Sequence, residues 1–456
     1  MRHQPSTPPN PSRRSEDHSL LPSLLSHSQW PLVATLILLG ALVLVAFALH
    51  ADRTTGGQGG VPLDDAWIHF QFARNLARGD GFAFNPGHPT AGSTAPLWTL
   101  LLAGLYGLGG RFPMAGQLLS AISFLVTVVG AYTLTKQITG QRWPAWLAGA
   151  VTAVNGRLAW AGLSGLETPL FAALSLLAIG SYLGRRSAER YDALTAALFG
   201  LATLARPEGI LLFALSLADF ALRGALQGRG RESRPASWSA RLTPALSAVG
   251  VFAALVLPYA LFSLRTAGHP VPNTFSAKTR FNFRPDVTFL SLASQYLIID
   301  NPLLLPFYVL GIGVLVRRAP VLSAWSVGLP LVYAFLHATL YQHGRYLIPL
   351  IPCNAIVATV GLLKAGDLAL RRGWRWRRSP ASLVALITVL AIAGTAWRLP
   401  TMAGLYAQDV SNINEMHVAM GEWVDRHVPA DALLALNDIG AITYVSERHI
   451  VDLAGL

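Results

Sequence analysis

Two adjacent carboxylates, Asp64 and Asp65, stand just after an apolar run long enough to cross a bilayer. Ionisable groups held at a membrane boundary are costly and tend to mark functional positions. A carboxylate within hydrogen-bond reach of a hydroxyl serves as a general base, and a neighbouring acid could hold a divalent cation or orient a substrate. Capping of the helix that follows would occupy one aspartate and leave the other without a task. The stretch they open, LDDAWIHFQFARNLARGDGFAFNPGHPTAGSTAPLW over 63–98, is polar, aromatic and glycine-rich between strongly apolar segments.

Other reactive side chains recur along the chain: Glu167 in LSGLETPL, the run Arg206-Pro207-Glu208-Gly209, Asn273 and Lys278 in PNTFSAKTR, and His343-Gly344-Arg345-Tyr346. Each has an ordinary explanation beside the chemical one. Glu167 before Pro169, and Glu208 after Pro207, suit helix starts. Asn273 and Lys278 fit a solvated loop, and Arg345 could snorkel to headgroups. Arg74 and Arg78 lie one turn apart on the polar side of an amphipathic helix predicted over 66–78, whose apolar stripe is Trp67, Phe70, Ala73 and Ala77; a headgroup-facing surface accounts for them. Arg206 is harder to dismiss, because a cation at an outer boundary does not help orient the chain. It pairs with Glu208 or binds an anionic group such as phosphate. The chain has no Walker loop, dinucleotide fingerprint or HExxH, which argues against a nucleotide-driven pump or a zinc protease. Its single cysteine, Cys353, lies in an apolar segment, so neither a disulfide framework nor a cysteine zinc site is available.

The elements that must position these residues are transmembrane helices. The chain has 456 residues, 52% hydrophobic and 13% charged, where soluble proteins carry about 25% charged residues. Apolar runs at 31–50, 114–135, 144–156, 168–183, 191–205, 208–222, 242–264, 301–316, 320–341, 346–363 and 381–397 give about eleven spans of an all-α polytopic membrane protein. The formal charge of +12 collects in short loops, as membrane topology requires, and does not call for a nucleic-acid partner. Residues 1–30, rich in Pro and Ser, read as a disordered cytoplasmic tail. The run 31–50 exceeds the roughly 7–15-residue core of a signal peptide and reads as an uncleaved anchor.

Segment 95–110 is apolar but short, and the loop charges decide its fate. If it stays at the interface, most of the 35 Lys and Arg residues fall on the cytoplasmic side; if it crosses, the bias reverses. It is therefore expected not to cross. This topology gathers Asp64, Asp65, residues 157–167, 206–208, 266–300 and 343–345 on the outer face of the plasma membrane. The domains expected are a transmembrane domain over 31–398, with its first outer loop at 51–113, and an extracytoplasmic α/β segment over 399–456. Two short strands cannot hold a core of their own, so the last segment packs on the membrane domain or belongs to a truncated sequence.

The motif LDDAWIHFQFARNLARGDGFAFNPG…STAPLW resembles the first outer loop of a branch of the GT-C glycosyltransferases that includes mycobacterial arabinofuranosyltransferase-like proteins. LSGLETPLF, LATLARPEGILLF, PNTFSAKT, HGRYLIPLIP and NDIGAITYVSERHIVDLAGL are similar to that branch's later motifs, in the same order. Two places depart from it: His88-Pro89-Thr90-Ala91, and Gln71-Phe72 where Arg-Tyr is common. The resemblance implies a polyprenyl-phosphate-linked sugar donor and inverting transfer on the outer face to a glycan, lipid or protein acceptor. It implies Asp64 as base, Asp65 as its partner, Glu167 as the second-loop acid, and Arg206 and Arg345 facing the lipid phosphate. Arg74, Glu208, Asn273, Lys278 and His343 complete the candidate substrate-binding set, and Asp64 with Asp65 the candidate cation site. The competing expectations are a lipid-linked-sugar transporter or flippase, though no internal repeat is visible, and a non-catalytic membrane partner derived from the same enzymes.

Overall fold

The computed structural model describes residues 29–186, 191–227, 238–270, 283–336, 342–371 and 380–453. Trp30–Thr54 begins with a proline in its first turn, where the missing N–H costs nothing. It then runs 25 residues, about 37 Å at 1.5 Å per residue. Four further stretches are helical and apolar over enough length to cross a bilayer: Met114–Thr139, Leu242–Ala267, Gln342–Arg371 and Ser382–His427. Val287–Asp300 and Leu305–Arg318 pass the same test as a pair bent by 107°. The bend has a local cause. Pro302 follows Asn301, whose side-chain oxygen accepts the N–H groups of Leu303 and Leu304 and whose amide donates to Ala391 and Thr395 on a neighbouring helix.

The protein is thus a multi-pass all-α membrane protein. By length and composition alone five spans are present among the described residues, or six with the bent pair. Several of the other apolar runs expected from the sequence form shorter helices, such as Ala193–Ala205 and Pro320–Phe335. Segment 95–110 contains a helix of 12 residues, Pro96–Gly107, about 18 Å long and too short to span.

Side-chain size sets the packing. Leu305–Arg318 and Ile351–Arg371 cross at backbone contact: a Cβ on Gly361 would lie 1.8 Å from the Phe307 carbonyl, and one on Gly311 1.9 Å from that of Val357. Small residues permit such approaches where lipid offers no hydrophobic drive. The helix Thr168–Arg186 is tied by charge at both ends. Glu167 meets Arg206 at one end, and at the other Arg186 pairs with Asp219, which also accepts from Tyr182.

The first loop folds onto the bundle through the helix Asp64–Arg78. Trp67, Phe70 and Ala73 are buried as the spacing predicts, but Ala77 is exposed and Arg74 is only 5% exposed. The polar side is buried because the loop after it and the C-terminal segment both cover it. Gln71 and Asn75 donate to the Phe84 carbonyl, and Asn75 also to that of Ala83. The C-terminal strands Leu433–Leu436 and His449–Asp452 pair in parallel across the short helix Gly440–Ser446. They have no core of their own; Ile439 and Ile450 pack with Phe72 and Phe84 of the first loop. Asn85 seals the joint, accepting the Ile450 N–H and donating to its carbonyl.

Candidate functional site

Asp64 and Asp65 occupy the first turn of their helix but turn to different partners. Each oxygen of the Asp64 carboxylate accepts one backbone N–H, from Gly440 at 2.8 Å and from Ala441 at 2.7 Å. Asp64 therefore caps a helix 376 residues further on, not its own. The fit is close: a Cβ on Gly440 would stand 2.3 Å from the Asp64 carbonyl and 2.8 Å from both carboxylate oxygens. Burial raises the Asp64 pKa above the ordinary 3.8, outweighing the two N–H groups and His417, which pull it down. The side chain stays half-buried, and each oxygen keeps a lone pair beyond the one it shares.

Asp65 instead meets Arg345 Nη2 at 2.5 Å. The two aspartates thus take different partners, and no group of three or more His, Cys, Asp or Glu side chains gathers at metal-binding distance among the described residues. Arg345 is aimed at Asp65 by an unusual turn. His343 and Gly344 both have positive φ, 59° and 68°, a conformation that costs a non-glycine residue energy and persists only where surroundings enforce it. Arg157 does so. It donates to the His343 carbonyl at 2.7 Å and the Gly344 carbonyl at 3.0 Å, while pairing with Asp300 at 2.8 Å. His343 itself reaches Asp409, with Nε2 3.0 Å from a carboxylate oxygen that also accepts from Trp160.

A second charged cluster lies beside the first. Arg206 caps the end of Ala193–Ala205 and sits between two acids, Glu167 at 2.9 Å and Glu208 at 2.7 Å. Glu208 also accepts the Tyr333 hydroxyl. Glu167 begins the next helix through its carbonyl, while its side chain turns to Arg206 and, at 3.9 Å, to His69. His69 in turn lies against Ser93 and Thr99. Tyr346 links the two clusters: its ring centre is 5.4 Å from the Arg206 guanidinium and 5.3 Å from that of Arg345, within cation–π reach.

Asp64, Asp65, Glu167, Arg206, Glu208, His343 and Arg345 thus gather on one end of the bundle. Arg74 is engaged elsewhere: it stacks on Tyr444, donates to its carbonyl and to Gln71, and pairs with Glu447 at 2.8 Å. It binds the C-terminal segment to the first loop. Asn273 and Lys278 lie outside the described residues. Sequence reasoning missed His69, Tyr333, Asp300 and Asp409. Only His69 carried a signal, four residues after Asp65 and so on the same helix face.

Two crystal structures of ArnT from Cupriavidus metallidurans are similar to the chain. The apo form superposes with a TM-score of 0.61 at 15% identity, covering 92% of this chain and 85% of that one. The form bound to undecaprenyl phosphate gives 0.62 at 14%, covering 94% and 86%. The fold is GT-C-like. At this identity the likeness extends to the fold alone. Residues 408–456 match a family model described as a domain of unknown function (DUF8728), and no curated protein matches the chain.

Proposed function

We propose that this chain is an inverting glycosyltransferase that moves a sugar from a polyprenyl-phosphate donor to a hydroxyl of a cell-envelope glycan, lipid or protein on the outer face of the membrane. The observation that carries the reading is Asp64: a half-buried carboxylate with raised basicity, fixed by two backbone N–H groups, on the end of the bundle where the arginines also gather. A base of raised pKa that still has a free lone pair suits proton abstraction from a hydroxyl.

In one displacement, Asp64 takes the acceptor hydroxyl proton and the acceptor oxygen bonds to the anomeric carbon. The bond from that carbon to the phosphate oxygen breaks, and its electron pair leaves with the lipid phosphate. Charge growing on that phosphate needs a preorganised cation. Arg345 serves best, since it shares its charge with one carboxylate, whereas Arg206 is already divided between Glu167 and Glu208. In this reading Arg206 and Glu167 hold the frame, and Asp65 aims Arg345. The motifs of the first loop favour an arabinofuranosyltransferase-like branch within the GT-C enzymes.

The test offers purified protein a panel of labelled polyprenyl-phosphate sugars with candidate acceptors and determines the anomeric configuration of any product. Transfer with inversion supports the reading. Retention of configuration would discard the single displacement, and donor binding without cleavage would favour a lipid-linked-sugar transporter.

A further inference from the structure

A cavity of about 230 Å³ lies among Val287–Asp300, Pro320–Phe335 and the start of Ile351–Arg371. Its sides are apolar, with Leu290, Leu297, Leu347 and Leu350 among them. Val327 and Leu331, which also line it, remain 40% and 43% exposed on the apolar helix Pro320–Phe335. An apolar rim of this kind in a multi-pass membrane protein suits contact with lipid.

The polar part of the lining is specific. Ser326 is 3% exposed, and its hydroxyl, like the side-chain oxygen of Asn354, is buried without a hydrogen-bond partner. A buried polar atom in that state has given up its water partners without replacement. Charge, by contrast, is already balanced. Arg157 at the cavity wall is held by Asp300 and two carbonyls and stacks on Tyr296 at 4.1 Å. Among the described residues, an anionic headgroup would find no unshared cation there, and a cationic one no unshared carboxylate.

We propose that this cavity binds a neutral-headed, single-chain lipid drawn from the bilayer, of the long-chain alcohol or monoacylglycerol class. Its chain lies against the leucines, and its hydroxyl hydrogen-bonds to Asn354 and Ser326. The bound lipid also supports the Arg157–Tyr296 wall that holds the His343–Gly344 turn.

The experiment photolabels the full chain in nanodiscs with a diazirine-bearing long-chain alcohol and, in parallel, with a fatty acid of the same length. Labelled peptides are then mapped by mass spectrometry. Saturable labelling of the two helices 287–300 and 320–335 by the alcohol, at least tenfold above the acid, is expected. Asn354→Leu should weaken saturation about fivefold, as loss of one hydrogen bond implies, and Ala293→Phe should fill the cavity and abolish it. Monodispersity and thermal midpoint identify a misfolded variant; Asn354→Leu, which keeps the number of side-chain heavy atoms, decides the matter if Ala293→Phe does not fold. Non-saturable labelling spread over exposed faces such as Leu38 and Leu42, equal labelling by the acid, competition by polyprenyl phosphate, or an unaffected Asn354→Leu would each overturn the proposal.

Discussion

Gly440→Ala is the most discriminating small change available at the site. The added Cβ would stand 2.3 Å from the Asp64 carbonyl oxygen and 2.8 Å from both carboxylate oxygens. Real Cβ atoms do not come so close, and one of the three contacts is backbone, which cannot swing aside. The short helix Gly440–Ser446 must therefore retreat from Asp64 and stretch two charge-assisted hydrogen bonds of 2.8 and 2.7 Å. Bonds to a charged group contribute about 1.5–3 kcal/mol each, and overpacking costs about 1–3 kcal/mol. Because Asn85, Arg74 and the Phe72–Ile450 cluster still hold the segment, a net loss of about 2–4 kcal/mol in its docking is expected. Hydrogen exchange reads this directly: amides of 439–453 should exchange about 30–1,000-fold faster, with the spans unchanged. Gly404→Ala is the control, since a Cβ there meets nothing within 4 Å. Unchanged protection in Gly440→Ala would refute the claim that Asp64 anchors the C-terminal segment.

Other expectations follow from the same geometry. Arg206→Met leaves Glu167 and Glu208 buried without their cation, which costs about 3–5 kcal/mol and should lower the thermal midpoint sharply; neutralising both glutamates as well should recover much of it, and a silent Arg206→Met would contradict the ion-pair assignment. The pH profile of kcat/KM should show an acid limb governed by Asp64. Activity rises as the carboxyl loses its proton, so the raised pKa places that limb above 3.8, and a limb at or below this value would remove Asp64 from the role. A tag inserted at residue 233 should be cytoplasmic and one after Leu456 external; both tags on one side would overturn the proposed orientation.

Much of this arrangement was legible in the sequence because it rests on local pattern. Hydropathy marked the apolar helices, and the shortness of the apolar run at 95–110 matched a helix of 12 residues there. The spacing of Trp67, Phe70 and Ala73 located the first-loop helix. Long-range pairing was not legible. That Asp64 caps a helix at 440, that Arg74 stacks on Tyr444, and that Arg157 grips the turn at 343–344 depends on how helices far apart in the chain pack together. Hydrophobic period says which face is buried, not which polar partner waits there. For the same reason the sequence pattern reads Arg74 as headgroup-facing or substrate-binding and does not show that the C-terminal segment covers it. The separate partners of Asp64 and Asp65 were equally hidden, since adjacency in sequence does not say which distant group each side chain meets.

The most direct test compares wild type with Asp64→Asn in single-turnover transfer from a labelled polyprenyl-phosphate sugar, with donor binding measured on the same preparations. Loss of the base should lower the rate at least about 100-fold while donor affinity and folding stay within a few-fold of wild type. Near-normal turnover in Asp64→Asn, with the donor bound as before, would contradict the assignment of Asp64 as the base.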